Sequence, residues 1–255
     1  MLKHTCQRAK SQAGFTLVEL AIVMIIIGLL IAGVLKGQQL IGNAKVTAQV
    51  AQFKSLDAAT STFKDMYAAL PGDMLTPTTR LPNCAAIGVL CTTAGGGDGL
   101  VGPVAGGVST FGAPAGEQLT YFVQLSAADL ITGINPALAA TWGGQYPAAK
   151  LNGGLHVGSL AGAALPTGAQ AMVVAANVKG GLYLALHNTP AGAVSAAAGA
   201  ITANEAARID TKVDDGVPST GSVFPGGAAN CAILATSYNE TVQGQNCNLF
   251  IRIQG

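Results

Sequence analysis

One acidic side chain, Glu19, stands in a run of 21 otherwise uncharged, mostly apolar residues, positions 15–35, reading FTLVELAIVMIIIGLLIAGVL. A carboxylate inside a membrane helix costs about 2.5 kcal/mol or more, so a lone one points to function by default. Position alone leaves two readings open: Glu19 snorkels to the headgroups from the first turn, or a cation answers it. The other candidate groups lie far downstream. Asp210, Asp214 and Asp215 form the densest carboxylate cluster. Asp210 and Asp214, four apart, share a helix face and could chelate calcium or repel each other. Too few oxygens are visible for an EF-hand-like site, so a solvated helix end is expected, with no metal and no cofactor. His156 and His187 stand alone in apolar surroundings and read as structural. No C-x-x-C occurs, which argues against zinc. Neither G-x-S-x-G nor H-E-x-x-H is present, so the chain is not expected to be an enzyme. The run Gly95-Gly96-Gly97-Asp98-Gly99 lacks the Lys-Ser/Thr of a phosphate loop and reads as a flexible connection.

The element that positions Glu19 is a helix. At about 1.5 Å per residue the apolar run is roughly 30 Å long, enough to cross a bilayer. Lys3, Arg8 and Lys10 precede it with no acid among residues 1–14, which sets the N-terminus on the cytoplasmic side and the rest outside. Lys36-Gly37-Gln38-Gln39 follows the run instead of an A-x-A-like cleavage site, and the helical pattern continues. Val46, Val50, Phe53, Leu56, Thr60, Phe63, Tyr67 and Leu70 fall on one stripe, and Pro71-Gly72 predicts the end. The chain accordingly divides into a basic leader (1–14), a membrane helix (15–36), its amphipathic continuation (37–70) and a globular head (71–255).

Gly14-Phe15-Thr16-Leu17-Val18-Glu19 resembles the cleavage and methylation signature of type IV pilins and type II secretion pseudopilins. The resemblance implies cutting between Gly14 and Phe15 by a membrane prepilin peptidase, followed by methylation of the new Phe15 amine. That amine is a cation four residues from Glu19, and the family's filaments imply that it pairs with Glu19 of a neighbouring subunit. The implied fold is α+β and pilin-like: a long N-terminal helix packed on a small antiparallel sheet. Lys36 departs from the proline that members often carry near the end of the apolar run. Gly28, Gly33, Gly37 and Gly42 are weak points of about 1 kcal/mol each relative to alanine, or sites of close helix packing.

Composition agrees with a loop-rich head on an apolar rod. Of 255 residues half are hydrophobic, only 10% are charged and 34 are glycine. Losing residues 1–14 removes three basic groups and no acid, taking the net charge from +1 to −2. Nothing there makes nucleic acid a main partner. Cys6 would leave with the leader. Cys84, Cys91, Cys231 and Cys247 remain outside, where disulfides persist. Of three connectivities, Cys84–Cys91 with Cys231–Cys247 is expected, because each closes a short loop.

Within the head, residues 71–116 read as a turn-rich loop and residues 117–131 as a helix closed by Gly133. Residues 132–168 read as irregular with short strands. Residues 169–177 and 181–186 read as a hairpin, and residues 249–253 as a terminal strand. Thr202 and Glu205 fit a capping box opening a helix to about Val213. Residues 206–221 resemble a segment of some pilin-like proteins.

The expected function is structural: a subunit of a type IV pilus or type II secretion pseudopilus. Its partners would be prepilin peptidase, identical or homologous subunits, and an inner-membrane assembly platform. It would sit in the inner membrane with the head outside, then pass into a periplasmic or extracellular filament. An alternative is a minor tip subunit whose head binds a surface, DNA or a secreted substrate. A weaker one is a signal-anchored periplasmic enzyme, which would keep the bond between Gly14 and Phe15 intact.

Overall fold

The computed structural model describes residues 14–103, 111, 115–137, 140–160, 178–190, 199–227, 231–233 and 236–253. Helix α1 runs Leu17–Tyr67, 51 residues. Two compact units divide within it, Met1–Ala44 and Lys45–Gly255. In the second unit α1 buries Val46, Gln49, Val50, Phe53, Leu56, Ala59, Thr60 and Phe63. Those are steps of three and four, one face of a 3.6-residue period. Gln49 can join the stripe because both atoms of its amide have partners. Its Oε1 accepts from Lys150 N at 2.7 Å, and its Nε2 donates to Gln52 Oε1 at 3.1 Å.

The helix stops at Tyr67, three residues short of the expected end. Ala68 takes a φ of 49°, in the left-handed region, and its N–H still bonds Lys64 O. The Arg80 guanidinium donates to Tyr67 O and lies over the Tyr67 ring at 6.0 Å. A cation thus serves one of the carbonyls left open at the helix end, ahead of Pro71.

Among its described residues, the expected loop at 71–116 contains three one-turn helices, α2 (Pro77–Arg80), α3 (Cys84–Ile87) and α4 (Val89–Thr92). Its glycine run is held by two buried carboxylates. Asp73 accepts from the N–H groups of Gly97, Asp98 and Gly99, and Glu117 from Gly96 at 2.6 Å and Gly102 at 2.9 Å. Gly95 must lack a side chain there, since a Cβ would sit 2.4 Å from the Asp73 Cα and the Gly72 O.

Helix α5 spans Glu117–Ala127, shorter than expected. Leu130 N bonds Leu125 O at 3.1 Å and Asp129 N bonds Ser126 O at 3.0 Å, with Asp129 at φ 57°. This is a Schellman close with aspartate in the position usually taken by glycine. Gly133 lies beyond it. Helix α6, Ala203–Val213, opens on the Thr202–Glu205 capping box that its sequence predicts.

Among the described residues four antiparallel strands form the sheet, in order β1 (Gly154–Leu160), β2 (Gly181–His187), β6 (Cys247–Ile253) and β3 (Val223–Gly227). A separate short pair joins β4 (Ala232–Ile233) and β5 (Ser237–Tyr238). The architecture is the α+β one expected, but the hairpin partner differs. Strand β2 has β1 on one side and β6 on the other, while residues 169–177 lie outside the described residues. Both faces are buried. Leu155, Val157, Leu182, Leu184, Leu249 and Ile251 join the main core with the α1 stripe, and Leu160, Tyr183, Ala185, Phe224 and Phe250 form a second. Alternation is therefore between two cores, which is why β2 and β6 read as nearly continuous apolar runs. Pro225 stands in β3, at one margin of the sheet among the described residues, paired with Leu249.

Phe63 is wholly buried in the main core, whereas Met66 is exposed. Phe63→Ala is expected to destabilise the head by roughly 3–5 kcal/mol, and Met66→Ala by less than about 0.5. Denaturant unfolding of the full chain in detergent measures both.

Candidate functional site

Gly14, Phe15 and Thr16 precede the helix without helical structure and are exposed. The peptide bond between Gly14 and Phe15 therefore lies in irregular chain just outside α1. Thr16 and Glu19 make a capping box, whose sequence signal is the spacing T-x-x-E. Thr16 N donates to Glu19 Oε2 at 2.9 Å, Thr16 Oγ1 donates to the same oxygen at 2.9 Å, and Glu19 N donates to Thr16 Oγ1 at 3.3 Å. The carboxylate sits at the positive end of the helix dipole. No hydrogen bond joins Glu19 Oε1 to another described residue, so it remains free to accept.

Beyond it the large apolar side chains from Leu17 to Ile41 are exposed: Ile22, Ile26, Leu30 and Leu35 are each about half exposed or more. This part of α1 is long and apolar enough to cross a membrane, and its most apolar window is not buried at all.

The cysteines are joined as Cys84–Cys91, Cα–Cα 5.2 Å, and Cys231–Cys247, Cα–Cα 5.1 Å. The first ties α3 to α4. The second ties the start of β6 to the residue before β4.

The acidic trio is brought together: one carboxylate oxygen from each of Asp210, Asp214 and Asp215 lies within 4.8 Å of the others. Asp210 is buried on α6, and its Oδ2 accepts from Tyr238 Oη at 2.7 Å while Oδ1 has no partner. Asp214 Oδ2 accepts from Ser222 N and Oγ, and Asp215 from Val217 N and Thr220 Oγ1. Gly221 is required beside this cap, since a Cβ would fall 1.6 Å from Asp214 Oδ2. Burial, together with the charges of Asp215 and Asp214, pushes Asp210 up to about 6. The solvated helix end expected from sequence is thus exposed at Asp214 and Asp215 but closed at Asp210.

A second acidic group, Asp73, Asp98 and Glu117, escaped sequence reasoning because its members are far apart in the chain. Its buried members already accept the loop amides described above. Burial raises both Asp73 and Glu117. His156 and His187, which look isolated in sequence, are in contact, with ring centroids 4.3 Å apart.

Among known families, the chain matches the prokaryotic N-terminal methylation motif over residues 9–35. This is the prepilin motif of type IV pilins and pseudopilins, and it takes in Gly14, Phe15 and Glu19. No curated protein and no solved structure matches the chain.

For Asp210 the sign of the pH dependence follows from its raised value. The folded state binds the proton more tightly, so this contribution to stability is full below about 3.8 and is lost as pH rises through about 6. Asp210→Asn is expected to melt a few degrees above the wild type near neutral pH, and the gap should close near pH 4. Thermal unfolding across that range checks it. Millimolar calcium that raised the wild-type midpoint but not that of the variant would place a cation in the trio.

Proposed function

We propose that this chain is the precursor of a structural subunit of a type IV pilus or type II secretion pseudopilus. In this reading, prepilin peptidase cuts between Gly14 and Phe15, the Phe15 amine is methylated, and the subunit assembles through residues 15–36. The observation that carries the reading is the uncovered apolar length of α1 next to an exposed, non-helical Gly14-Phe15 junction. Water is a poor environment for it, since each large apolar side chain gains about 1.5–3 kcal/mol on burial. Lipid satisfies it before assembly. A bundle of the same helices, delivered at the inner-membrane platform, satisfies it afterwards.

Glu19 then sets register. Moving it from the membrane surface into such a bundle leaves a buried charge that only a nearby cation offsets. The amine of a neighbouring Phe15 is that cation, and Glu19 Oε1 is available for it while Oε2 stays with Thr16. The disulfide-bonded head lies on the oxidising side of the membrane, as this orientation requires.

Mass spectrometry of the protein from cells should find a chain beginning at Phe15 with one added methyl group. A retained leader beside an active peptidase would overturn the reading. Glu19→Ala should still be cut, but its filament yield should fall by roughly tenfold or more, the effect of about 1.4 kcal/mol lost per subunit. Counting copies along isolated filaments separates a shaft subunit from one confined to the tip.

A further inference from the structure

The two histidines of the sheet form a hydrogen-bonded chain whose direction is fixed. His156 lies on β1 and His187 ends β2, diagonal neighbours in the strand register and both buried. His156 Nε2 is 3.0 Å from Pro190 O. A carbonyl only accepts, so this nitrogen carries the proton. His156 Nδ1, left bare in the neutral ring, is 2.6 Å from His187 Nε2, which must therefore donate. His187 Nδ1 is then bare as well, and it receives Thr189 N–H at 3.4 Å. Every ring nitrogen is used once, and both rings are neutral.

A further proton has no place in this arrangement. On His156 Nδ1 it would set two N–H groups against each other across 2.6 Å, and on His187 Nδ1 it would face the Thr189 N–H. We propose that the chain Thr189–His187–His156–Pro190 is a proton-operated latch, which ties outer strand β1 to the turn after β2 while both imidazoles are uncharged and opens on acidification.

The surroundings give a charged ring no help. Trp142 and Tyr146, from the segment before β1, pack on the pair with centroids 4.4–5.3 Å away. The Tyr146 phenol is raised by burial and stays neutral. On His156 the influences are burial, then His187, both lowering it, against the Pro190 carbonyl; on His187 burial acts alone. They hold His156 well below its ordinary value and His187 at about 3. Once open, both rings return towards about 6.5, so opening takes up two protons and the open fraction rises up to roughly a hundredfold per pH unit below that value. The linkage sign is that of groups with depressed values: stability is full above about 6.5 and is lost as pH falls.

Trp142 is the chain's one tryptophan and reports on both rings. In the full-length protein in detergent micelles, its emission should shift to the red in one step as pH falls below about 6, with helical circular dichroism unchanged. The double variant His156→Gln, His187→Asn, which cannot titrate, should show no step. A flat wild-type trace down to about pH 4, or the same step in the variant, overturns the latch. Should the variant fail to fold, hydrogen exchange on the wild type decides. Corrected for intrinsic rates, β1 amides should lose protection on acidification before β3 amides do, and equal loss in both strands overturns the proposal.

Discussion

An apolar helical surface that its own chain does not cover must be covered by something else, and the rest of this protein is arranged around that constraint. Among the described residues, the large apolar side chains of α1 from Leu17 to Ile41 are exposed. Within the same continuous helix, from Val46 onward, the stripe is buried in the head. One secondary-structure element therefore answers two solvents. The change is made by replacing an apolar circumference with an apolar face, and no break in the hydrogen-bond ladder is needed.

Charge is rationed along the same line. Between Phe15 and Leu35 Glu19 is the single ionisable side chain, and it sits in the first turn, where the helix dipole and Thr16 both favour it. In the head, buried carboxylates are matched to donors distant in sequence: Asp73 and Glu117 to loop glycine amides, Asp210 on α6 to Tyr238 on β5. Asp73 and Glu117 thereby shape irregular chain. Each costs desolvation, visible as raised proton affinity.

Much of this was legible in the sequence, and the failures have physical causes. The α1 stripe, the Thr202–Glu205 cap and the terminal strand were readable because each rests on spacing within one segment. The end of α1 was misplaced because Arg80, thirteen residues on, serves the Tyr67 carbonyl before proline can act. Helix α5 ends early because Asp129 adopts a conformation that sequence rules reserve for glycine. The partner of β2 was misjudged because strand pairing is non-local: β6 lies more than sixty residues away and leaves no local mark. The same holds for His156 and His187, 31 residues apart in sequence and 2.6 Å apart between ring nitrogens.

Pro225 has a consequence for how copies of this protein meet. A marginal strand offers a row of backbone donors that invites an additional strand, and proline deletes one of them. Head-to-head stitching through that side is handicapped from the outset, in the manner of a zipper with a missing tooth. Runaway cross-β association between heads through that strand is thereby discouraged.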